Sequence, residues 1–286
     1  MNWTTLVSAE DLAAHLHEPG LRVVDARFVL AGGDADAGEA QWRAGHLSGA
    51  GYVHLDRELS DLRKPASEGR HPLPDASVFQ AALERLGIAP SSQVVVYDAA
   101  DGTMAAARFW WLLKLWGHEK VAVLDGGFAR WTALGLPVDV EPARVAPSAY
   151  PGSFDDRQIA HTDEVERRLR QGEAILLDTR APERFRGEIE PLDRVAGHVP
   201  GARNRPYNDN LAGGRFRSPD ALRAQFLALM DGRSPADVLL NCGSGVTACH
   251  NLLAMEHAGV HGARVYAESW SGWISEPSRP VAIGPA

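Results

Sequence analysis

Asp237-Val238-Leu239-Leu240-Asn241-Cys242-Gly243-Ser244-Gly245-Val246-Thr247-Ala248-Cys249-His250 is the stretch on which the reading of this chain turns. The apolar run Val238-Leu239-Leu240 predicts a buried strand, and Val246, Leu252, Leu253 and Met255 among small residues predict a helix after it. Between them lies a tight loop with a cysteine at the point where the strand ends. Backbone N–H groups in such a loop and at a helix N-terminus lack partners in the chain, and the helix dipole adds positive potential there. A thiol in that field is favoured as the thiolate, which is the nucleophilic form. Gly243 and Gly245 carry no Cβ, so the chain can curl and aim several N–H groups at one point. The stretch reads as a nucleophilic cysteine in an anion-binding cradle.

The rest of the chain narrows the classes. Its 286 residues suffice for about two domains. At 45% hydrophobic and 23% charged residues the composition is that of a globular protein. A net charge of −8 argues against nucleic acid as a partner, because a phosphate backbone needs a basic face. The two cysteines, Cys242 and Cys249, lie seven positions apart across a predicted helix start, which suits a reducing compartment and no disulfide framework. Residues 1–11 show no basic region or apolar stretch of signal length, and no run approaches the ~20 apolar residues of a membrane span. A soluble, cytoplasmic protein is expected, without a membrane partner.

Outward from the loop, the chain repeats itself. Val23-Val24-Asp25-Ala26-Arg27 returns as Leu176-Leu177-Asp178-Thr179-Arg180, and Ala44-Gly45-His46-Leu47-Ser48-Gly49-Ala50 as Ala196-Gly197-His198-Val199-Pro200-Gly201-Ala202. Val95-Val96-Tyr97-Asp98 answers Leu239-Leu240-Asn241-Cys242, and Gly126 to Trp131 answers Glu268 to Trp273. Two copies of one unit follow, each with strands alternating with helices, which implies an α/β fold with mainly parallel sheets and helices on both faces. The copies are expected at 1–146 and 155–286, joined by the proline-containing stretch Val140 to Asp156. Where the second copy has Cys242 the first has Asp98, and a carboxylate cannot do thiolate chemistry. His46 and His198, and Asp25 and Asp178, occur in both copies and so read as structural; Trp110, Trp111 and Trp116 read as core.

With both copies in view, the chain resembles a tandem-rhodanese sulfurtransferase. The resemblance rests on the Asp-x-Arg strand ends, the Ala-Gly-His-x-x-Gly-Ala turns, Gly126-Gly127-Phe128 to Trp131, and the loop Cys242 to Thr247, which looks like the 3-mercaptopyruvate sulfurtransferase version. Thiosulfate-preferring relatives carry basic residues just after the cysteine, where this loop has Gly243 and Ser244. The resemblance implies two tandem rhodanese-like domains, the first catalytically silent. It implies a persulfide on Cys242, loaded from 3-mercaptopyruvate with release of pyruvate and unloaded onto a thiol acceptor such as thioredoxin, or onto cyanide. By the same resemblance Ser244 relays a proton, Asp56 and His71 assist it, and Arg184 grips the donor carboxylate. The loop N–H groups from Gly243 through Ser244, Gly245 and Val246 to Thr247 would hold the charged sulfur. Relatives place a second donor arginine after the Glu-Pro that here is Glu190-Pro191; Leu192-Asp193 follow instead, and Arg194 is the candidate from a shifted position.

Other readings remain to be weighed. Thiosulfate could be the donor by the same mechanism, and a rhodanese module can serve as a non-enzymatic sulfur carrier or regulator. Gly243-x-Gly245-x-x-Ala248 fits a dinucleotide fingerprint, but too little chain follows Glu268 to complete such a sheet. A cysteine phosphatase needs an arginine six positions after its nucleophile, and Ala248 stands there. Cys249 reads as a packed helix residue, with redox exchange as the lesser alternative. Neither a metal site nor an organic cofactor is implied, since the persulfide is itself the reactive group.

Overall fold

The two copies of the sequence repeat form two sheets of identical strand order. The computed structural model describes residues 1–29, 34, 36–142 and 145–285. In the first sheet the strands run Leu6–Val7, Val121–Leu124, Gln93–Tyr97, Leu21–Asp25, Gly51–Tyr52, all neighbours parallel. In the second they run Ile159–Ala160, Arg264–Tyr266, Val238–Asn241, Ile175–Asp178, Arg203–Asn204, again all parallel. The middle strands, Gln93–Tyr97 and Val238–Asn241, are buried along their whole length. Continuous apolar β-branched and leucine runs are what a parallel sheet covered on both faces demands.

One face of the first sheet presents Val23, Val95, Tyr97, Ala122 and Leu124 to Leu12 and Trp131 from the helices Ala9–His15 and Gly127–Ala133. The helix Ala105–Leu115 packs against the strands Gln93–Tyr97 and Val121–Leu124. Its Trp110 and Trp111 are buried, and Trp110 Nε1 donates to the Thr4 carbonyl, so these indoles are core groups. In the second sheet Leu176, Leu239 and Tyr266 pack with Trp270, Trp273 and Phe185.

The repeat extends to single hydrogen bonds. Arg27 forks onto Asp25 and donates to the Gly45 carbonyl at 2.6 Å; Arg180 forks onto Asp178 and donates to the Gly197 carbonyl at 2.8 Å. Trp131 donates to the Pro137 carbonyl and Trp273 to the Pro280 carbonyl, both at 2.9 Å. His46 Nδ1 and His198 Nδ1 each bond a carbonyl of the preceding helical segment, Trp42 and Phe185, at 2.7 Å. The paired histidines and aspartates thus brace equivalent turns.

By contacts the chain divides into one unit of 1–61, 74–155 and 213–216, and another of 62–73, 156–212 and 217–286. The join between the copies lies against the first unit up to Asp155: Ser148 Oγ donates to the Ile88 carbonyl, and Phe154 packs on Trp116 and Phe79. Ala143 and Arg144 of that join lie outside the described residues. The segment 62–73, which precedes the middle strand of the first copy, packs with the second unit and carries Arg70 and His71 into it.

Candidate active site

Cys242 follows directly on the strand Val238–Asn241, at the carboxyl end of the middle strand, where parallel α/β sheets place their ligands. The helix Ala248–His257 starts six residues later. The loop closes on the sulfur: the N–H groups of Ser244 and Gly245 donate to Cys242 Sγ at 3.4 and 3.1 Å. Two donors aimed at one sulfur stabilise negative charge on it. The turn that allows this needs Gly245, whose φ is +79° and whose missing Cβ leaves room for the Ala267 carbonyl.

The loop is clamped from the helix Ser269–Trp273. The N–H groups of Trp270 and Ser271 donate to the carbonyls of Cys242 and Gly243 at 3.1 and 2.9 Å. Ser269 Oγ accepts the Cys242 N–H at 3.1 Å and donates to the Tyr266 carbonyl at 2.8 Å. Ser269 holds φ at +52°, a left-handed conformation that a non-glycine residue rarely adopts. Its counterpart in the first copy is Gly127, also at +52°, where a Cβ would stand 2.7 Å from the Asp98 and Ala100 carbonyls. The second copy has room for a side chain there and uses it to hold the cysteine.

Beside the sulfur, Ser244 Oγ and His71 Nδ1 are hydrogen-bonded at 2.7 Å, and both side chains are buried. Two guanidinium groups stand over Gly243. A Cβ on Gly243 would meet Arg70 Nη2 at 2.9 Å, Arg184 Nη2 at 3.6 Å and Asp193 Oδ2 at 3.6 Å, so these groups approach the loop backbone closely. Arg184 is held by Glu190 at 2.7 and 3.2 Å and by Asp193 at 3.3 Å, and Arg70 is paired with the other oxygen of Asp193. Burial works to raise the Glu190 carboxyl, but the Arg184 guanidinium and the N–H groups of Leu192 and Asp193 overcome it and hold the group below its ordinary value. The Arg70 N–H donates to Ser271 Oγ at 2.8 Å, which ties the guanidinium's own backbone to the clamp on the cysteine loop.

Cys242, Gly243, Ser244, Gly245, His71 and Arg184 are therefore brought together. Val246 is buried in the loop, and Thr247 Oγ1 bonds Thr179 Oγ1 at 3.3 Å. The sulfur draws its two bonds from Ser244 and Gly245, a tighter set than the whole loop. Arg194 departs from the expectation: its guanidinium donates to the Ile274 carbonyl, and the second guanidinium over Gly243 belongs to Arg70. A two-residue-wide turn held by Glu190 directs Asp193 inward, and Arg194 leaves toward the backbone of Ile274. Asp56 lies in the other unit, in the short helix Leu55–Glu58, with its N–H on His54 Nδ1 at 3.1 Å. Cys249 is buried on the helix Ala248–His257, its Sγ on the Gly245 carbonyl at 3.2 Å. Reading the sequence missed Arg70, Asp193 and Ser269. Arg70 is adjacent to His71, and Ser269 stands opposite Gly127 in the repeat.

The first copy shows the same loop with its cradle filled. Asp98 Oδ1 accepts from the N–H groups of Gly102 and Ala100 at 2.9 and 3.3 Å, and Oδ2 from Met104 at 3.2 Å. Burial pushes the Asp98 carboxyl up to about 6 against the pull of these N–H groups.

Comparison with known proteins shows the family of this fold. The family model for the rhodanese-like domain matches twice, over residues 8–134 and 161–276. The chain belongs to the rhodanese family. It is 43% identical over 286 residues to a Pseudomonas aeruginosa protein named "Probable 3-mercaptopyruvate sulfurtransferase", covering 99% of this chain and 100% of that one. It is 34% identical to the thiosulfate sulfurtransferase of Cricetulus griseus, covering 99% of this chain and 96% of the relative. Among solved structures, the 3-mercaptopyruvate sulfurtransferase from Leishmania major superposes with a TM-score of 0.84 at 30% identity, covering 97% of this chain and 75% of that one. As a rhodanese, the chain holds one copy of the fold with a cysteine in the cradle and one with a carboxylate. Among the described residues, no helix is long and apolar enough to cross a membrane, and no group of three His, Cys, Asp or Glu side chains is placed to hold a metal ion.

Proposed function

We propose that this rhodanese is a sulfurtransferase that takes sulfur from 3-mercaptopyruvate onto Cys242 and passes it to a thiol. The observation that carries the reading is the hydrogen bond between Ser244 Oγ and His71 Nδ1 beside the cradled cysteine. Attack of the Cys242 thiolate on the donor's thiol sulfur forms an S–S bond and breaks the donor's C–S bond. The electron pair of that bond leaves on carbon, as the enolate of pyruvate. A carbon leaving group needs a proton, whereas the sulfite released from thiosulfate does not. A hydroxyl–imidazole pair next to the sulfur can take the proton of the donor thiol and return it to the enolate carbon. The products are pyruvate and the Cys242 persulfide anion, whose charge the N–H groups of Ser244 and Gly245 support. The acceptor thiolate then attacks the outer sulfur and regenerates the Cys242 thiolate.

Arg184 and Arg70 supply the forked donors suited to the donor's carboxylate. Asp56 is assigned by resemblance to the Ser244–His71 relay, so Asp56→Asn should lower kcat. Residues 155–286 act as the catalytic domain and residues 1–146 as a silent one, because the cradle of the first copy is occupied by its own Asp98 carboxylate. The acceptor is a small or protein thiol of the thioredoxin kind, in the cytoplasm.

The names of the relatives include both 3-mercaptopyruvate and thiosulfate sulfurtransferases. The ratio of kcat/KM for the two donors decides between them. A ratio in favour of 3-mercaptopyruvate, with no pyruvate release by Cys242→Ser, is the expected result. A ratio in favour of thiosulfate contradicts the donor assignment and leaves the persulfide; absence of turnover with both donors contradicts the enzyme and favours a carrier or regulatory module.

A further inference from the structure

Sulfur transfer at Cys242 leaves the Asp193 carboxylate beside the loop without a part in the chemistry. Its side chain is only 4% exposed. One oxygen is bonded by Arg70 and the other by Arg184 at 3.3 Å, and the second stands 3.6 Å from where a Gly243 Cβ would lie. A carboxylate of the protein therefore occupies ground that the carboxylate of an incoming donor has to share. Asp193 does not reach this place by chance of rotamer. Glu190 Oε1 accepts the N–H groups of Leu192 and Asp193 at 3.0 and 3.1 Å, which fixes the turn that delivers it.

The charged groups around the loop balance. Arg70 from the segment 62–73, Arg180 after the strand Ile175–Asp178, and Arg184 from the helix Pro182–Phe185 face Asp178, Glu190 and Asp193. Burial, helped by the neighbouring Glu190, raises the Asp193 carboxyl above its ordinary value, against the pull of Arg70, Arg184 and Arg180. A donor with one carboxylate can share the two forks with Asp193, the more so if one proton is held between the two carboxylates. A dianion adds a second like-charge interaction in a site shielded from water, where such interactions weigh more.

We propose that Asp193 is a specificity-determining residue: by bridging Arg70 and Arg184 beside Gly243 it cancels one positive charge of the donor clamp, and so favours a donor with a single carboxylate over a doubly charged inorganic donor. This rests on the reading of Cys242 as a sulfur-transfer centre, but not on which donor the wild type prefers.

The test measures kcat/KM for thiosulfate and for 3-mercaptopyruvate in the wild type, Asp193→Asn and Asp193→Glu, with one acceptor throughout. Asp193→Asn should raise the thiosulfate-to-mercaptopyruvate ratio about tenfold, or about 1.4 kcal/mol, through KM in the donor half-reaction. Asp193→Glu, which keeps the charge, should bring the ratio back toward the wild-type value. An equal loss with both donors, or an unchanged ratio, overturns the proposal and leaves Asp193 as a brace for the arginines. Turnover by the wild type with either donor reads the sulfurtransferase itself, and only the change in ratio reads Asp193.

Discussion

At the scale of single residues, Cys242 is held by more than its loop. Its N–H is bonded to Ser269 Oγ, its carbonyl to Trp270 and its sulfur to the N–H groups of Ser244 and Gly245. Ser269→Gly separates two effects. It relieves a left-handed backbone, a strain on the order of 1 kcal/mol, and it removes the acceptor of a buried N–H, which costs about 1–3 kcal/mol. We expect a change in Tm of only a few degrees but a kcat about tenfold lower, because a nucleophile out of place by a fraction of an ångström loses its line of attack. An unaltered kcat would show that Ser269 serves the fold alone. Arg70→Ala should raise KM for 3-mercaptopyruvate by about ten- to a hundredfold and change kcat less, as expected when a charge-assisted hydrogen bond to substrate is lost. Cys242 was singled out by its place between an apolar strand and a glycine loop, whereas Ser244 and His71 entered through the family resemblance. Arg70 and Asp193 were not legible, because an arginine or aspartate in a charged stretch looks the same whether it is solvated or turned onto a glycine.

At the scale of elements, the two strand–loop–helix units differ by what fills the cradle. Asp98 accepts three N–H bonds from its own loop, yet burial holds its carboxyl up at about 6. The folded state therefore binds this proton more tightly than the unfolded chain. Its contribution to stability is full below the ordinary aspartate value near 4 and is lost as pH rises through about 6. The size of the effect is roughly 3 kcal/mol. Asp98→Asn removes the titration, so urea unfolding at a series of pH values should show the variant gaining on the wild type between about pH 4 and pH 6, with a constant difference above. Parallel unfolding curves across that window would contradict this. The elements themselves were readable from pattern: the strand Val238–Asn241 and the helix Ala248–His257 fall where the apolar run and the apolar residues after the loop place them. Which loop N–H groups reach the sulfur was not readable, because the φ of +79° at Gly245 selects two of them and leaves no trace in residue type.

At the scale of the whole molecule, the repeat was the most legible feature, because each copy conserves entire hydrogen-bonded devices: the Asp-x-Arg fork, the carbonyl it reaches and the tryptophan bonded to a proline carbonyl. The membership of the segment 62–73 in the second unit was hidden. It contains no long periodic element, only a short helical turn at Ala66–Glu68, and periodicity is what sequence reading detects. Yet that segment brings Arg70 and His71 to the cysteine loop, so the proposed site draws on both halves of the chain sequence while one half carries Cys242. One cradle with a thiol and one with a carboxylate predict a single sulfur carried per chain. The most direct test is a single turnover: 3-mercaptopyruvate is added without acceptor, and the intact protein and the pyruvate are both measured. The account predicts a mass gain of one sulfur atom located on Cys242, one pyruvate released per chain, loss of the added sulfur on addition of a thiol, and none of this in Cys242→Ser. Pyruvate release by Cys242→Ser, or sulfur found on Cys249 in place of Cys242, would contradict it.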